Sequence, residues 1–315
     1  MGDHHAETEN FAAILKRYSH PKHWPTWFGL AVLRLIIVLP LPVLALLGYA
    51  LGSLVYAVYG SRRAIAFKNI KACFPEYSDA KCRKINWHQF CLLGQSVITI
   101  TMNWWISPAR FNRLVTIHGR EHYDKALANG ERIILLTPHF LSMEVSGLAL
   151  QRERPMVGVY QYMKNPLINT LALRGRSRFC ADGIMFERKA PLRTLLRILM
   201  KGLPMAYSPD QDAMKKGVFV PFFHTQASTT SALSKFVNVT GSTVIPCRNK
   251  MRSWGRGYDV YLGEPIDGLA SDDEITDTAN MNKAIEEMVK QAPEQYLWVH
   301  KRFKTQPQGQ PNFYK

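Results

Sequence analysis

The stretch Arg132-Ile-Ile-Leu-Leu-Thr-Pro-His139-Phe-Leu-Ser-Met-Glu144-Val-Ser-Gly-Leu148 decides the fold. It begins with an uninterrupted apolar run, which predicts a strand. Pro138 marks the end of that strand, because a proline restricts the backbone of the residue before it. The residues that follow have the pattern of the first turns of a helix. His139 therefore lies at a strand-to-helix junction, and the carboxylate of Glu144 comes five positions later.

This junction is a suitable place for a pair of groups that moves a proton. Five residues of continuous helix would turn the two side chains to different faces, so His139 must precede the helix if it is to meet Glu144. A carboxylate that accepts a hydrogen bond from one ring nitrogen fixes the tautomer and leaves the other nitrogen free as a general base. The sequence thus predicts a His139–Glu144 dyad. The alternative is a histidine that caps or packs beside a helix start.

Outward from this stretch, short apolar or β-branched runs alternate with helical stretches. Strands are expected at Arg132–Thr137, Met156–Tyr162, Pro204–Ser208, Val218–Phe223, Thr243–Cys247 and Tyr258–Leu262. Helices are expected at Ser78–Trp105 (one or two), Phe140–Gln151, Pro166–Phe179, Pro191–Lys201, Thr229–Thr240 and Asp272–Gln291. This order predicts an α/β fold in which a mixed central sheet is covered by helices.

A second dominant feature is the uncharged apolar run from Leu35 to Tyr59. About 20 apolar residues suffice to cross the core of a bilayer. Pro40 and Pro42 predict a break, so the run either spans as a broken helix or lies partly in one leaflet. The alternative is a buried core helix of a soluble domain. Four basic residues follow it closely and favour a cytoplasmic position for the rest of the chain: Arg62, Arg63, Lys68 and Lys71.

Composition limits the class of protein. The 315 residues carry 40 Lys and Arg against 24 Asp and Glu, a net charge of +16, and 47% of them are hydrophobic. This excludes a disordered basic tail, and a mean hydropathy of −0.15 excludes a polytopic membrane protein. The charge leaves several anionic partners open, among them nucleic acid, anionic lipid, an acidic carrier protein and a phosphorylated substrate. The scattered basic residues and the lack of a recognisable nucleic-acid motif argue against nucleic acid.

No metal site is expected. The five cysteines do not form a disulfide framework, and Cys73, Cys82 and Cys91 are expected to be buried as small apolar side chains rather than to bind zinc. The segment His118-Gly-Arg-Glu-His122 has a misplaced Glu and an interrupting Gly compared with a metal-binding helix. It is expected to connect a strand to a helix.

Four short blocks carry a resemblance to a known superfamily. They are His139 to Glu144, Gly183-Ile-Met-Phe-Glu-Arg188, Pro209-Asp-Gln-Asp212 and Val244-Ile-Pro246. Together they resemble the blocks of the lysophospholipid acyltransferase superfamily. The third block departs from the common Pro-Glu-Gly-Thr and is similar to the version in the lipid A biosynthesis late (secondary) acyltransferases, the lauroyl and myristoyl transferases. Five further segments resemble the same branch. They are His20–Gly29, Lys68–Pro75, Phe219–Phe223, Ala232–Ser234 and Ala292–Thr305.

The resemblance implies a glycerol-3-phosphate acyltransferase-like fold and a reaction. A fatty acyl chain would pass from acyl carrier protein to a hydroxyl of a hydroxyacyl chain on a phosphorylated lipid A precursor. By the resemblance, His139 is the base and Glu144 orients it. A thioester is already activated, so no cofactor is required. With water in place of the acceptor, slow thioester hydrolysis is expected.

Five residues are candidates for substrate binding, and the resemblance implies one of them. Arg188 corresponds to the superfamily position that contacts the acceptor phosphate or headgroup. Arg174 and Arg176 form a second basic cluster that would bind phosphate, face the carrier protein or touch the membrane. Asp210 and Asp212 would bind a basic partner in the site, orient an arginine, hold sugar hydroxyls or only cap a turn.

The expected organisation is a leader and interfacial segment at 1–26, a membrane anchor at 27–60, a catalytic domain at 61–305 and a loose tail at 306–315. The resemblance places the catalytic domain on the cytoplasmic face of the bacterial inner membrane, in contact with its lipids. Two alternatives are a non-catalytic, membrane-anchored basic module that binds lipid and a glycerophospholipid acyltransferase.

Overall fold

A computed structural model of the chain describes residues 10–180 and 182–315. Residues 1–9 of the expected leader lie outside the described residues. Nine strands are found in this part of the chain. They are β1 Val115–His118, β2 Ile133–Leu136, β3 Val157–Tyr160, β4 Ile184–Glu187, β5 Met205–Tyr207, β6 Val218–Phe222, β7 Thr225–Thr229, β8 Thr243–Met251 and β9 Tyr258–Leu262.

The helices begin at residues suited to that position. Ser78, Asn165 and Asp273 each precede a helix, and the side-chain oxygen of each accepts a hydrogen bond from a backbone N–H of the first turn. The helices are α1 Phe11–Arg17, α2 Trp24–Ile36, α3 Leu41–Val58, α4 Gly60–Cys73, α5 Asp79–Trp105, α6 Pro108–Leu114, α7 Arg120–Ala128, α8 Glu144–Gln151, α9 Pro166–Arg176, α10 Leu192–Met200, α11 Ala232–Thr240 and α12 Glu274–Lys290.

Seven strands form the central sheet in the order β1-β9-β8-β2-β5-β3-β4. All neighbours are parallel except β8 and β9, which are antiparallel, and β6 and β7 form a separate antiparallel hairpin. The sheet is mixed and mostly parallel, as predicted. Its parallel strands bring their carboxyl ends to one edge, where ligands commonly bind in open α/β sheets.

Strand β2 lies inside the core on both faces. Ile134 and Leu136 belong to the hydrophobic cluster on one side of the sheet, and Ile133 and Leu135 to the cluster on the other. All four side chains are at most 1% exposed. This alternation follows from the two-residue period of a strand, and it explains why the sequence here is a continuous apolar run.

Most sequence predictions of elements are confirmed, with particular exceptions. The strand at Val218–Phe222 lies in the hairpin rather than in the central sheet, and the helix expected from Thr229 begins later because β7 occupies its start. Strands β1 and β4 were not predicted, because each has only four residues and ends in a polar one. His118 does lead from β1 into α7, and Cys73, Cys82 and Cys91 are buried.

The apolar run of the sequence forms two helices with a break at the prolines, as the prediction of a broken helix required. Helix α2 ends at Ile36 and α3 begins after Pro40. Among the described residues, only α3 is both long and apolar enough to cross a membrane. It is not a buried core helix, because only 22% of it is buried.

Helix α3 packs along α5 through a contact of small residues. A Cβ atom added to Gly48 would lie 2.4 Å from Gln95 Cα, and one added to Gly52 would lie 2.1 Å from the Phe90 carbonyl oxygen. Gly94 of α5 faces both glycines, since its Cβ would lie 2.2 Å from the Gly48 carbonyl oxygen. The spacing of Gly48 and Gly52 by four residues places them on one helix face. The backbones can therefore approach closely, and the opposite face of α3 stays exposed.

The C-terminal segment is not the loose tail that the sequence predicted. Tyr314 donates a hydrogen bond from its hydroxyl to Asn69 Oδ1 at 2.6 Å and accepts one from the backbone N–H of Phe303 at 3.1 Å. Phe313 packs against Phe303, with ring centroids 4.9 Å apart. The last residues are held because their aromatic side chains find an apolar surface, which the Gln and Pro content around residue 306 conceals.

Replacing Gly52 by Ala is expected to lower the free energy of unfolding by about 1–3 kcal/mol, the usual cost of overpacking. The added methyl group would have to push α3 away from the backbone of Phe90. Thermal unfolding of the detergent-solubilised protein measures this change.

Gly29→Ala is the matched control, since it lies in the neighbouring helix α2 and an added Cβ has no neighbour within 4 Å. It should stabilise the protein slightly, because alanine is the better helix former. Equal loss of stability in both variants would contradict the close contact.

Candidate active site

The site begins with the register of two neighbouring parallel strands. Leu136 of β2 pairs with Tyr207 of β5 at the last position of each strand. Three residues beyond Leu136 comes His139, and three residues beyond Tyr207 comes Asp210. Because the strands are parallel and in register, equal steps beyond their ends bring these two residues together.

The imidazole and the carboxylate are joined by a short hydrogen bond. His139 Nδ1 lies 2.6 Å from Asp210 Oδ1, and the backbone N–H of His139 donates to Asp210 Oδ2 at 2.8 Å. Tyr296 donates its hydroxyl hydrogen to the same Oδ2 at 2.9 Å. The carboxylate thus has three donors although its side chain is only 1% exposed, which compensates for burying a charge.

The pair shifts both pKa values in the directions expected of opposite charges. Burial lowers the pKa of His139, but the charge of Asp210 and its hydrogen bond outweigh this and raise the pKa above its usual value. Burial raises the pKa of Asp210, yet the interactions with His139 and the hydrogen bond from Tyr296 bring it down to about 2. Asp210 is therefore ionised at neutral pH, with Nδ1 of His139 as its donor and Nε2 left for a ligand.

The hydrogen bond predicted between His139 and Glu144 is not formed, and this corrects the geometry inferred from the sequence. Arg176 of α9 donates to Glu144 Oε1 from Nε at 3.0 Å and from Nη2. Two causes separate His139 from Glu144. Asp210 occupies Nδ1 of the imidazole, and the intervening Phe140 is held in a β-bridge to Tyr296. The five-residue spacing therefore brings Glu144 to an arginine instead.

His139, Glu144 and Arg176 nevertheless line one cavity of about 470 Å³ between the sheet, α5 and α8. Most of its wall is apolar, with aliphatic and methionine side chains. They are Leu93, Ile100, Leu141, Met143, Val145, Leu148, Met156, Val157, Val159, Met163 and Met185. A mostly apolar cavity that also contains polar and charged groups fits an amphiphilic ligand.

Three polar atoms in the cavity wall have no protein hydrogen-bond partner within the described ranges. They are Ser142 Oγ, Glu144 Oε2 and Gln151 Oε1. Buried polar atoms are rarely left unpaired, because each costs about 1–3 kcal/mol. The cavity is therefore prepared for a ligand that brings hydrogen-bonding groups of its own.

The other predicted site residues are distributed around this centre. Arg188 follows β4 at the same sheet edge and is exposed, and its charge acts to lower the pKa of His139. Arg174 faces a separate groove on the other side of α9. The side chain of Asp212 accepts a hydrogen bond from Thr305 at 3.0 Å, so it holds the C-terminal segment. Of the two aspartates, only Asp210 binds a basic partner in the site.

The sequence did not single out Tyr296 as a site residue. It lies 86 positions from Asp210 and is reached only because the chain after α12 returns beneath the sheet edge. The backbone N–H of Leu297 donates to the His139 carbonyl at 3.1 Å, and that of Leu141 donates to the Gln295 carbonyl at 2.9 Å. In the sequence, the one indication of its importance was the resemblance of Ala292–Thr305, the segment that contains this tyrosine, to the acyltransferase branch.

A histidine that lines an apolar cavity and is hydrogen-bonded to a buried aspartate is typical of an enzyme that removes a proton from a hydroxyl next to a lipid chain. Residues 12–305 match the family described as bacterial lipid A biosynthesis acyltransferase. The chain belongs to this family, and it is therefore an acyltransferase of lipid A biosynthesis. This agrees with the resemblance found in the sequence, and it sets aside both the non-catalytic module and the glycerophospholipid acyltransferase.

Curated relatives from Escherichia coli strain K12 match over nearly their whole length. The lipid A biosynthesis lauroyltransferase is 35% identical over 94% of this chain and 96% of its own. The palmitoleoyltransferase is 32% identical over 95% and 97%. The myristoyltransferase is 27% identical over 95% and 93%. The names of these relatives specify different acyl groups, so family membership alone does not fix the acyl chain.

Replacing Asp210 by Asn is expected to lower the pKa of His139 below its usual value, because burial then acts without the opposing carboxylate. NMR titration of the histidine ring signals measures it, with the His139 signal identified by its loss in His139→Gln.

Asp212→Asn is the matched control and should leave the pKa of His139 unchanged, since Asp212 contacts Thr305 instead. If Asp210→Asn also leaves that pKa where it is in the wild type, the His139–Asp210 ion pair does not form in solution.

Proposed function

We propose that the protein transfers a fatty acyl chain of the lauroyl or myristoyl class from acyl carrier protein to the hydroxyl of a hydroxyacyl chain on a phosphorylated lipid A precursor. The observation that carries this proposal is the hydrogen bond of Asp210 to His139, which lines the apolar cavity. The family match supports the acceptor class. The carrier-bound donor and the acyl class come from the resemblance of the sequence.

The chemistry requires one base with a free nitrogen. His139 Nε2 takes the proton of the acceptor hydroxyl while Asp210, bound to Nδ1, stabilises the imidazolium that forms. The hydroxyl oxygen attacks the thioester carbonyl carbon, and the carbon–sulfur bond then breaks. The carrier thiolate leaves and takes the proton back from His139. The products are an ester and a free carrier thiol, so no cofactor is consumed.

Asp210 takes the orienting role that the sequence assigned to Glu144. We assign Glu144 and Arg176 to the substrates instead, because both line the cavity beside His139. Glu144 Oε2, which has no partner among the described residues, accepts a hydrogen bond from a substrate group. Arg176 supplies positive charge toward an acceptor oxygen or phosphate. The apolar part of the cavity holds the acyl chain.

The acidic carrier protein is expected to meet a basic surface near Arg188. After this residue, α10 exposes Arg193 and Arg197 on one side, while Leu195 and Leu199 are buried on the other. The positive charge of Arg188 also interacts electrostatically with His139. A carrier bound to this surface would approach the sheet edge at which the base is located, and electrostatic attraction would steer it there.

We further propose that α2 and α3, which form most of the expected anchor at 27–60, attach the glycerol-3-phosphate acyltransferase-like catalytic domain at 61–305 to the cytoplasmic face of the inner membrane. Their exposed apolar side chains support attachment. Because α5 packs against one face of α3, partial insertion of α3 into the bilayer is favoured over a helix that spans the bilayer alone. Arg62 and Arg63 follow this region and suit anionic headgroups.

His139→Ala and Asp210→Asn are each expected to lower the rate of acyl transfer by about 10²–10⁴-fold, because each removes general-base catalysis. Glu144→Gln and Arg176→Gln are expected to raise KM more than they lower kcat. Mass spectrometry of the lipid product made from lauroyl or myristoyl carrier protein measures the transfer and identifies the acyl class.

Asp212→Asn serves as the control outside the cavity and should retain most activity. Without acceptor, the wild type should release fatty acid slowly as water replaces the hydroxyl, and His139→Ala should not. Near wild-type rates of acyl transfer by both His139→Ala and Asp210→Asn would contradict the proposal that His139 is the general base.

Replacing Phe28 and Leu54 together by Glu should release the protein from membranes, because both side chains are more than 60% exposed and apolar. Flotation with vesicles of the inner-membrane lipids measures this. A control pair of exposed substitutions in the catalytic domain, Lys235→Glu and Lys290→Glu, should leave flotation intact; equal flotation of both pairs would refute attachment through this face.

A further inference from the structure

A second cavity lies apart from the active site, between the N-terminal helices, the end of α5 and α9. It is a groove of about 950 Å³ lined by three tryptophans, aliphatic side chains and three arginines. It shares no lining residue with the cavity at His139. Helix α9 separates the two, since Arg174 faces the groove and Arg176 faces the active site.

The charged side chains in the described lining of the groove are all positive. Arg34, Arg174 and Arg178 line it, and its described lining contains no carboxylate side chain. The guanidinium groups are held against aromatic rings, with Arg34 Cζ 5.8 Å from the centroid of Trp105 and Arg174 Cζ 5.9 Å from that of Phe11. Arginines fixed in this way suit a phosphate, whose oxygens match the guanidinium geometry.

Two buried polar atoms of the groove wall add an independent observation. Trp104 Nε1 and Ser177 Oγ have no hydrogen-bond partner in the described part of the chain, although the two residues are only 9% and 2% exposed. Leaving two such groups unpaired in one wall is costly. Both can donate to an oxygen atom, and both residues line the groove together with the arginines.

The groove also continues into the apolar surface of α2. Trp27, Leu30, Ala31 and Arg34 follow helical spacing and line the groove. Phe28, Val32 and Leu35 follow the same spacing one position later, about 100° around the helix, and are exposed. A molecule in the groove can therefore place a charged group among the arginines while its apolar chains lie along α2.

We propose that this groove binds an anionic phospholipid of the bilayer, with its phosphate between Arg34, Arg174 and Arg178 and its acyl chains against the tryptophans and α2. The positive charge, the unpaired donors and the adjoining apolar stripe each fit one part of such a lipid. The proposal rests on the proposed membrane attachment but not on the proposed chemistry at His139.

Native mass spectrometry of the detergent-solubilised full chain tests this binding, with phosphatidylglycerol and phosphatidylcholine as probes. Phosphatidylglycerol should bind at least tenfold more tightly than the zwitterionic lipid. Arg34→Gln, which changes an exposed side chain, should weaken binding about threefold, and Arg34→Gln with Arg174→Gln about tenfold. Ser177→Ala should weaken binding without lowering the melting temperature, because its hydroxyl has no protein partner to lose.

Arg83→Gln is the matched control, since Arg83 lies on the same helix as Trp104 but about 30 Å along it. This variant and His139→Ala should bind phosphatidylglycerol like the wild type, whatever their activity. Equal binding of the two lipids, or unchanged binding by the double variant, would overturn the proposal. A raised KM for the acceptor in phospholipid-free detergent with Arg34→Gln would also overturn it, because the groove would then serve the acceptor phosphate.

Discussion

The parallel pairing of β2 with β5 is the constraint on which the site depends. It brings the ends of both strands to the same level, so that His139 and Asp210 meet after equal steps of chain. Burial of β2 on both faces holds the strand inside the core, so the residues that follow it start from a fixed position. The position of the imidazole is thus set by the packing of aliphatic residues several ångströms away.

The buried carboxylate determines what surrounds it. Asp210 is ionised in a place with almost no solvent, so the fold supplies three donors to it. One of them comes from the C-terminal segment, which must therefore return to the sheet edge. The same return forms the β-bridge between Phe140 and Tyr296 and so turns Glu144 toward Arg176.

The sequence was sufficient for the parts of this arrangement that are local. The strand before His139, the helix break at Pro40 and the helix expected at Pro191–Lys201 follow from periodicity and proline chemistry. The partner of His139 could not be found in this way, because the spacing of five residues is visible in the sequence whereas the order of strands in the sheet is not. The same limit applies to Tyr296, whose contact with Asp210 spans 86 positions, and to the separation of Arg174 from Arg176 by the thickness of one helix.

The return of the chain end has a consequence for the order in which the protein is made. His139 and Asp210 are synthesised before Tyr296, which adds the third donor to the Asp210 carboxylate. Domains generally fold as units, so this sheet edge takes its final form only after the segment with Tyr296 has been made and has returned to it. Formation of the complete hydrogen-bond set of the His139–Asp210 pair is thereby coupled to the synthesis of residues that come after α12.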